Sequence, residues 1–321
     1  MIVRPGITIA MFSILAGATV RAQPRMPETV LATPAPVVAV MLARSGTLAA
    51  AVCDDHKLRL WDAHSARLIR TIDVAGRDVA MTAMTDDGHL MLLGDYHGDV
   101  TVWNTATGEV QLQLHLDRYL TAAAFSHDGR ELALAPGTPV VLYEVTAKRA
   151  RFELERTSGT SSIAFSRDDA LVGTTDGDAV RIYDRRAGKL ISRNGDFLAA
   201  PLAVDFLPDG KRAAAGGGDG VVVIAGTASG HTIHGAVRVH GAIFYLEASP
   251  NGQELAVVTQ DANKPQLPAP VIFADLSSLQ KKAQWMSPSA ILLPGGATWT
   301  ADGHFVVATS TASALHLWRI R

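Results

Sequence analysis

The sequence reads as an all-β chain assembled from seven copies of one four-stranded antiparallel unit, and two observations carry that reading. The first is a recurring stretch. Leu48 to Asp62 (LAAAVCDDHKLRLWD) joins a small-residue strand, a tight acidic turn and an alternating strand ending in Trp61-Asp62, and Leu90 to Asn104 (LMLLGDYHGDVTVWN) and Leu171 to Asp184 (LVGTTDGDAVRIYD) are variants of it. The positions equivalent to Trp61 are Trp103, Tyr143, Tyr183, Ala225, Ala274 and Trp318, at steps of 42, 40, 40, 42, 49 and 44. The second is an independent turn marker upstream of each small-residue strand, at Ser45-Gly46, Asp87-Gly88, Asp128-Gly129, Asp168-Asp169, Asp209-Gly210, Asn251-Gly252 and Asp302-Gly303. The two markers keep step through seven units, and self-similarity at such a period is the signature of a repeat array.

Within each unit, the first strand carries a bulky residue before the turn, as at Met84, Phe125, Phe165, Phe206 and Trp299. The second is made of small residues, AAA at Ala49 to Ala51 and AAAGGG at Ala213 to Gly218, which suits a crowded interior position. The third alternates, as in LRLW, VTVW and VRIY, so that one face is buried. A fourth follows at Arg67 to Val74, Glu109 to Leu116, Arg149 to Glu155, Lys189 to Arg193, Thr232 to Val237 and Gln280 to Met286. The seventh unit lacks a fourth strand, because three residues follow Trp318.

These residues resemble the WD-repeat β-propeller family, whose units of roughly 40 to 45 residues each form one four-stranded blade. Trp61-Asp62 keeps the family's dipeptide whole, Trp103-Asn104, Tyr143-Glu144, Tyr183-Asp184 and Trp318-Arg319 are degraded forms, and Ala225 and Ala274 have lost the ring. The family's Gly-His dipeptide before each blade is absent. The resemblance covers about Glu28 to Arg321 and implies a seven-bladed propeller of four-stranded antiparallel blades. It further implies that a strand at Glu28 to Thr33, between Pro27 and Pro34, fills the vacancy in the last blade, pairs with Leu315 to Trp318 and closes the ring. The fifth unit, with Gly216 to Gly220 and no ring at Ala225, is expected to be thin and soft.

The chain of 321 residues is 48% apolar and 19% charged, ordinary for a globular protein. Residues 1–22 differ in kind: Arg4, an uncharged apolar run from Ile7 to Val20, then Val20-Arg21-Ala22 with small residues where export cleavage requires them. The expected organisation is a signal peptide at 1–22, a segment at 23–36 supplying the closing strand, and the propeller at 37–321. Removing Arg4 and Arg21 would take the formal charge from −2 to −4. That balance, with no basic cluster, argues against a nucleic-acid partner. An exported protein is expected, periplasmic or secreted, monomeric and not embedded in a membrane after cleavage. Cys53 is the only cysteine, which excludes an intrachain disulfide and suits a small buried hydrophobe.

The search for chemistry returns little. His231, His234 and His240 lie close in sequence, but residues three apart on a strand face opposite ways, a poor metal pair. There is no Cys-x-x-Cys-His, His-Glu-x-x-His, Gly-x-Ser-x-Gly or phosphate-cradling Gly-Lys-Ser/Thr motif. The expected function is therefore an exported protein-binding scaffold with no catalysis of its own, no cofactor and no metal. The alternative is a periplasmic propeller enzyme or accessory protein holding a cofactor or metal in its axial channel. Partner contact is expected at the turns between second and third strands and at the connections between blades. The candidates there are Asp55, His56, Tyr96, His97, Arg118, Tyr119, Asp176, Phe197 and His240, beside a Pro-rich loop at Gln260 to Pro270. The resemblance gives Asp55, Asp176 and Asp219 a second role, holding the blade together. Trp61 is expected in a blade core and Trp285 on an outer strand near the rim.

Overall fold

The computed structural model describes residues 27–74, 78–154, 159–260, 269–289, 295–311 and 314–321. The expected signal peptide and residues 261–268 of the Pro-rich loop lie outside them.

Seven four-stranded antiparallel sheets succeed one another along the chain, and no helix occurs among the described residues. Blade 1 runs Val37–Leu42, Leu48–Cys53, Lys57–Asp62 and Leu68–Asp73, in sequence order from the axis outward, and blades 2 to 6 repeat the pattern. Blade 7 takes three strands from the end of the chain, Ala297–Trp299, Phe305–Ser310 and Ala314–Arg319. Its outermost strand is Thr29–Ala32, in antiparallel register from Thr29↔Leu317 to Ala32↔Ala314. The N-terminal strand closes the ring, as the vacancy in the last unit requires.

The core is not one mass but seven separate layers, each between neighbouring blades. Between blades 1 and 2, Met41, Val52 and Leu60 meet Met91, Leu93 and Trp103. The layer between blades 7 and 1 holds Leu31, Leu315 and Leu317 against Val40, Ala51 and Trp61. Each ring at the repeat's signature position thus packs toward the preceding blade, Tyr183 toward blade 3 and Trp318 toward blade 6. In blade 5, where the ring is missing, Phe206 of the first strand fills the layer, and an added Cβ on Gly173 of blade 4 would lie 3.1 Å from it. The glycines of blade 5 are sites of close approach: a Cβ on Gly217 would stand 2.0 Å from the Ala200 carbonyl oxygen, and one on Gly216 2.7 Å from Ile243.

Trp285 lies on an outer strand, as expected, but is not exposed there. It lies on the fourth strand of blade 6, yet it is 3% exposed because its ring packs 5.7 Å from that of Trp318 across the blade 6–blade 7 layer. Outer-strand position did not imply exposure, since the neighbouring blade covers that strand. Cys53 is buried.

The upstream turn is the most regular feature of the array. In all seven blades its marker residue has a left-handed backbone (Gly46, Gly88, Gly129, Asp169, Gly210, Gly252 and Gly303, φ 55° to 86°). Its amide donates to the carbonyl three residues earlier, as from Gly88 to Thr85 at 2.9 Å. Glycine adopts that conformation freely and Asp tolerates it. In five blades a Ser or Thr hydroxyl also reaches the side chain two residues on, as Ser126 to Asp128 at 2.6 Å and Thr85 to Asp87 at 2.7 Å. At the turn after the third strand of blades 1, 2, 4 and 6, the residue after the ring position caps the backbone: Asp62 accepts from the amides of His64 and Ser65, Asn104 from Ala106 and Thr107, Asp184 from Ala187, and Asp275 from Ser277 and Ser278. That capping role explains why Asp survives at position 275 beside Ala274.

Candidate functional site

The topology defines two ends of the channel. Turns between second and third strands, and the connections between blades, gather at one end; turns between first and second and between third and fourth strands gather at the other.

At the first end lie all nine sequence-predicted contact residues, but on different blades. Tyr96, in the second-to-third turn of blade 2, and Tyr119, in the connection from blade 2 to blade 3, come together with ring centroids 5.7 Å apart at an interplanar angle of 54°. Both are exposed, 60% and 47%. The loops that carry them are tied to each other: the Leu116 amide donates to the Gly98 carbonyl at 2.9 Å, and a Cβ on Gly98, whose φ is 93°, would meet the Leu116 carbonyl oxygen at 2.1 Å. Beneath them Leu120 is buried against Gly94. Arg118 is exposed and runs alongside Gly137 of blade 3, where an added Cβ would be 3.7 Å from its Cδ. His97 is exposed, and Asp95 accepts its amide and that of Asp99, both at 2.9 Å.

Other candidates stand apart from this pair. Asp55 holds Arg59 of the adjoining strand through both carboxylate oxygens at 2.9 and 2.5 Å, and burial opposes but does not overcome the lowering of its pKa that this hydrogen bond produces. Asp176 is buried and paired with Arg181, and Asp219 accepts the Val221 amide at 3.0 Å. All three carboxylates brace their own blades. His56 is exposed in the left-handed region at φ 56°, and its carbonyl accepts the Val74 amide. Phe197 is half-buried beside the layer between blades 4 and 5, and its neighbour Leu198 is 87% exposed. His240 is exposed in the connection from blade 5 to blade 6.

The first strands of all seven blades enclose an axial channel of about 270 Å³. Sequence reasoning missed what fills its second end. Arg44 of blade 1 reaches across to Glu247 of blade 6 at 2.6 Å and lies 3.6 Å from Asp86 of blade 2. Asp86 pairs with His127 Nδ1 of blade 3 at 2.7 Å, and His127 Nε2 faces the Phe165 carbonyl of blade 4 at 3.3 Å. Glu247 also accepts the Trp299 amide of blade 7 at 2.9 Å and the Tyr245 hydroxyl. Asp205 of blade 5 accepts the Ala248 amide of blade 6 at 2.9 Å. Asp169, the one non-glycine at its turn position, spends its carboxylate on the amides of His127 and Asp128 at 2.8 and 2.9 Å.

Burial pushes the carboxyls of Glu247 and Asp205 up, against the pull of Arg44. Burial would lower Arg44, but the charges of Glu247, Asp205 and Asp86 hold it firmly protonated. In the His127–Asp86 pair, burial opposes charge on both groups, yet their hydrogen bond raises His127 and depresses Asp86. Arg44, Asp86, His127, Asp169, Asp205 and Glu247 are each engaged by another blade, so the arrangement ties the ring together at its axis. Among the described residues, no three or more His, Cys, Asp or Glu side chains converge as a metal site would need. No helix among them is long and apolar enough to cross a membrane.

No family model matches the chain. It is similar to the WD repeat-containing protein SL1-17 of Schistosoma mansoni, 26% identical over 158 residues, which cover 48% of this chain and 52% of that protein. It is also similar to an uncharacterised WD repeat-containing protein of Synechocystis, 30% identical over 146 residues, 44% of this chain and 42% of the relative. The ring of seven blades and these relatives agree. The chain is a seven-bladed β-propeller similar to WD repeat-containing proteins. This propeller also resembles autophagy-related protein 16 of Arabidopsis thaliana, 25% identical over 172 residues, 52% of the chain and 34% of that protein. The propeller spans about half the length of the first of these relatives and less of the others.

Proposed function

We propose that this WD-repeat propeller is an exported, non-catalytic scaffold that binds a protein partner at the end of the channel carrying Tyr96 and Tyr119. Propellers of this family generally bind proteins, which supports the coarse reading. The observation that carries the finer one is the exposed tyrosine pair on two loops braced against each other. A pre-organised aromatic surface loses little conformational freedom on binding, and Tyr and Arg are types that dominate interface energy.

Export rests on the pattern of residues 1–22 and is tested by N-terminal sequencing of the protein recovered from the periplasm or medium. A first residue at or near Gln23 is the expected result; an N terminus at Met1 in the cytoplasm refutes it. Binding is tested by capture from the envelope fraction. Tyr96→Ala, Arg118→Ala and Tyr119→Ala together should weaken capture at least about tenfold while leaving the melting temperature unchanged, because all three side chains are exposed. Capture that survives this change and is lost on mutating Asp128 and Asp209, at the opposite end, places the partner elsewhere.

A further inference from the structure

The tyrosine pair sits among exposed carboxylates that form no ion pair with a described residue. The amide of Tyr96 donates to the Asp78 carbonyl at 3.2 Å, which brings Asp78 to the foot of one ring. Asp117 lies two residues before the other ring, and Asp54 occupies the corresponding turn of blade 1. All three are exposed, and among the described residues none has an ion-pair partner, whereas Asp55 in the same region is paired with Arg59. Of the described cations nearby, Arg118 is drawn along Gly137 toward blade 3 and His115 is held by Asp99 at 2.8 Å. The rings therefore stand on an acidic surface, their faces open to solvent. An arginine or lysine over a tyrosine face is attracted by the ring's quadrupole, and flanking carboxylates add to that attraction.

We infer that the Tyr96–Tyr119 surface docks a basic segment of a protein partner, its arginine or lysine side chains lying on the two rings and facing Asp78 and Asp117. This rests on the proposed binding face and adds the chemistry of what it takes. An acidic segment would meet uncompensated like charge. A purely apolar one would leave the carboxylates unused.

The test uses the full chain and two labelled peptides of about twelve residues, one alternating arginine with leucine and the other glutamate with leucine, read by fluorescence anisotropy. The arginine peptide should bind and weaken several-fold between about 50 and 300 mM salt, as exposed charges are screened; the glutamate peptide should not bind. Tyr96→Ala with Tyr119→Ala should weaken the arginine peptide about tenfold, and Asp78→Asn with Asp117→Asn should weaken it several-fold and flatten the salt dependence. Asp209→Asn, at the opposite end, should leave binding unchanged, which separates a local site from general attraction to an acidic protein. Melting curves of the variants should match the parent, since every altered side chain is exposed; single tyrosine changes repeat the test if a double variant melts low. Equal binding of the glutamate peptide, or no loss in either double variant, overturns the inference. Envelope capture that needs the tyrosines but ignores salt and the Asp→Asn changes also overturns it, leaving the binding face intact. Capture that maps to the opposite end overturns the binding face itself.

Discussion

Leu31→Ala tests the closure of the ring more sharply than deleting the closing strand, because the same strand supplies its own control. Leu31 is fully buried against Leu315, Leu317, Val40 and Trp61, while Val30, its neighbour on the other face, is 49% exposed. Removing a buried leucine side chain costs about 2–5 kcal/mol, the upper part of the range applying where the surroundings cannot collapse into the space. Leu31 sits in a layer whose walls belong to two blades, each fixed by its own hydrogen-bonded ladder, so about 3 kcal/mol is expected. At about 2 °C per kcal/mol for a domain of this size, that lowers the melting temperature by about 6 °C. Val30→Ala, at the surface, should stay within about 0.5 kcal/mol, or roughly 1 °C. Near-UV circular dichroism during heating, at one protein concentration, measures both. Shifts of equal size would mean that the strand does not seat Leu31 in the layer, and the account of closure would be wrong.

Three further outcomes follow from the packing and charge arrangement. Trp285→Ala and Trp61→Ala should each cost about 3–5 kcal/mol in chemical denaturation, since both rings fill layers between blades; a negligible effect at Trp285 would contradict its burial. Arg44→Met should cost about 3–5 kcal/mol by leaving Glu247 buried without its cation, and more at pH 8 than at pH 5. The sign follows from the raised pKa of Glu247: a carboxyl raised by burial supports the folded state while protonated and loses that support as pH climbs, whereas Glu247→Gln, which carries no charge, should cost less and show no such trend. His127 has a raised pKa in its pair with Asp86, so its contribution is complete below the ordinary value of 6.5 and fades as pH rises through the folded value. His127→Gln should remove that alkaline decline in stability, measured by denaturant midpoints at pH 6 and pH 9; an unaltered decline would assign it to other groups.

The blades were readable in the sequence because each is built from contacts between near neighbours in the chain. Glycine, or a residue tolerating φ near +60°, at seven turns, a strand after each turn and an alternating strand after that are local demands, and they recur at a near-constant period. Even the vacancy in blade 7 could be counted. The axial network could not be, because Arg44, Asp86, His127 and Glu247 belong to four blades and meet only after the ring closes. The one local trace is a carboxylate inside an innermost strand, Asp205 in PLAVDF and Glu247 in AIFYLEA, where alternation alone would favour apolar residues. The burial of Trp285 was not legible for the same reason: strand order within a blade says nothing about what the next blade covers. Of the candidate residues, the turn positions were legible, but the meeting of Tyr96 with Tyr119 depends on the Gly98–Leu116 contact between two loops.

The seating of Thr29–Ala32 beside Ala314–Arg319 also sets an order of assembly. The propeller's own first strand completes its last blade, so it waits unpaired while the six blades between are synthesised. During that interval blade 1 keeps Val40, Ala49, Ala51 and Trp61 without the cover that blade 7 provides. A product truncated before residue 314 is therefore not a smaller working platform but an open arc with an apolar face at each end. Such species are the ones chaperones and proteases recognise.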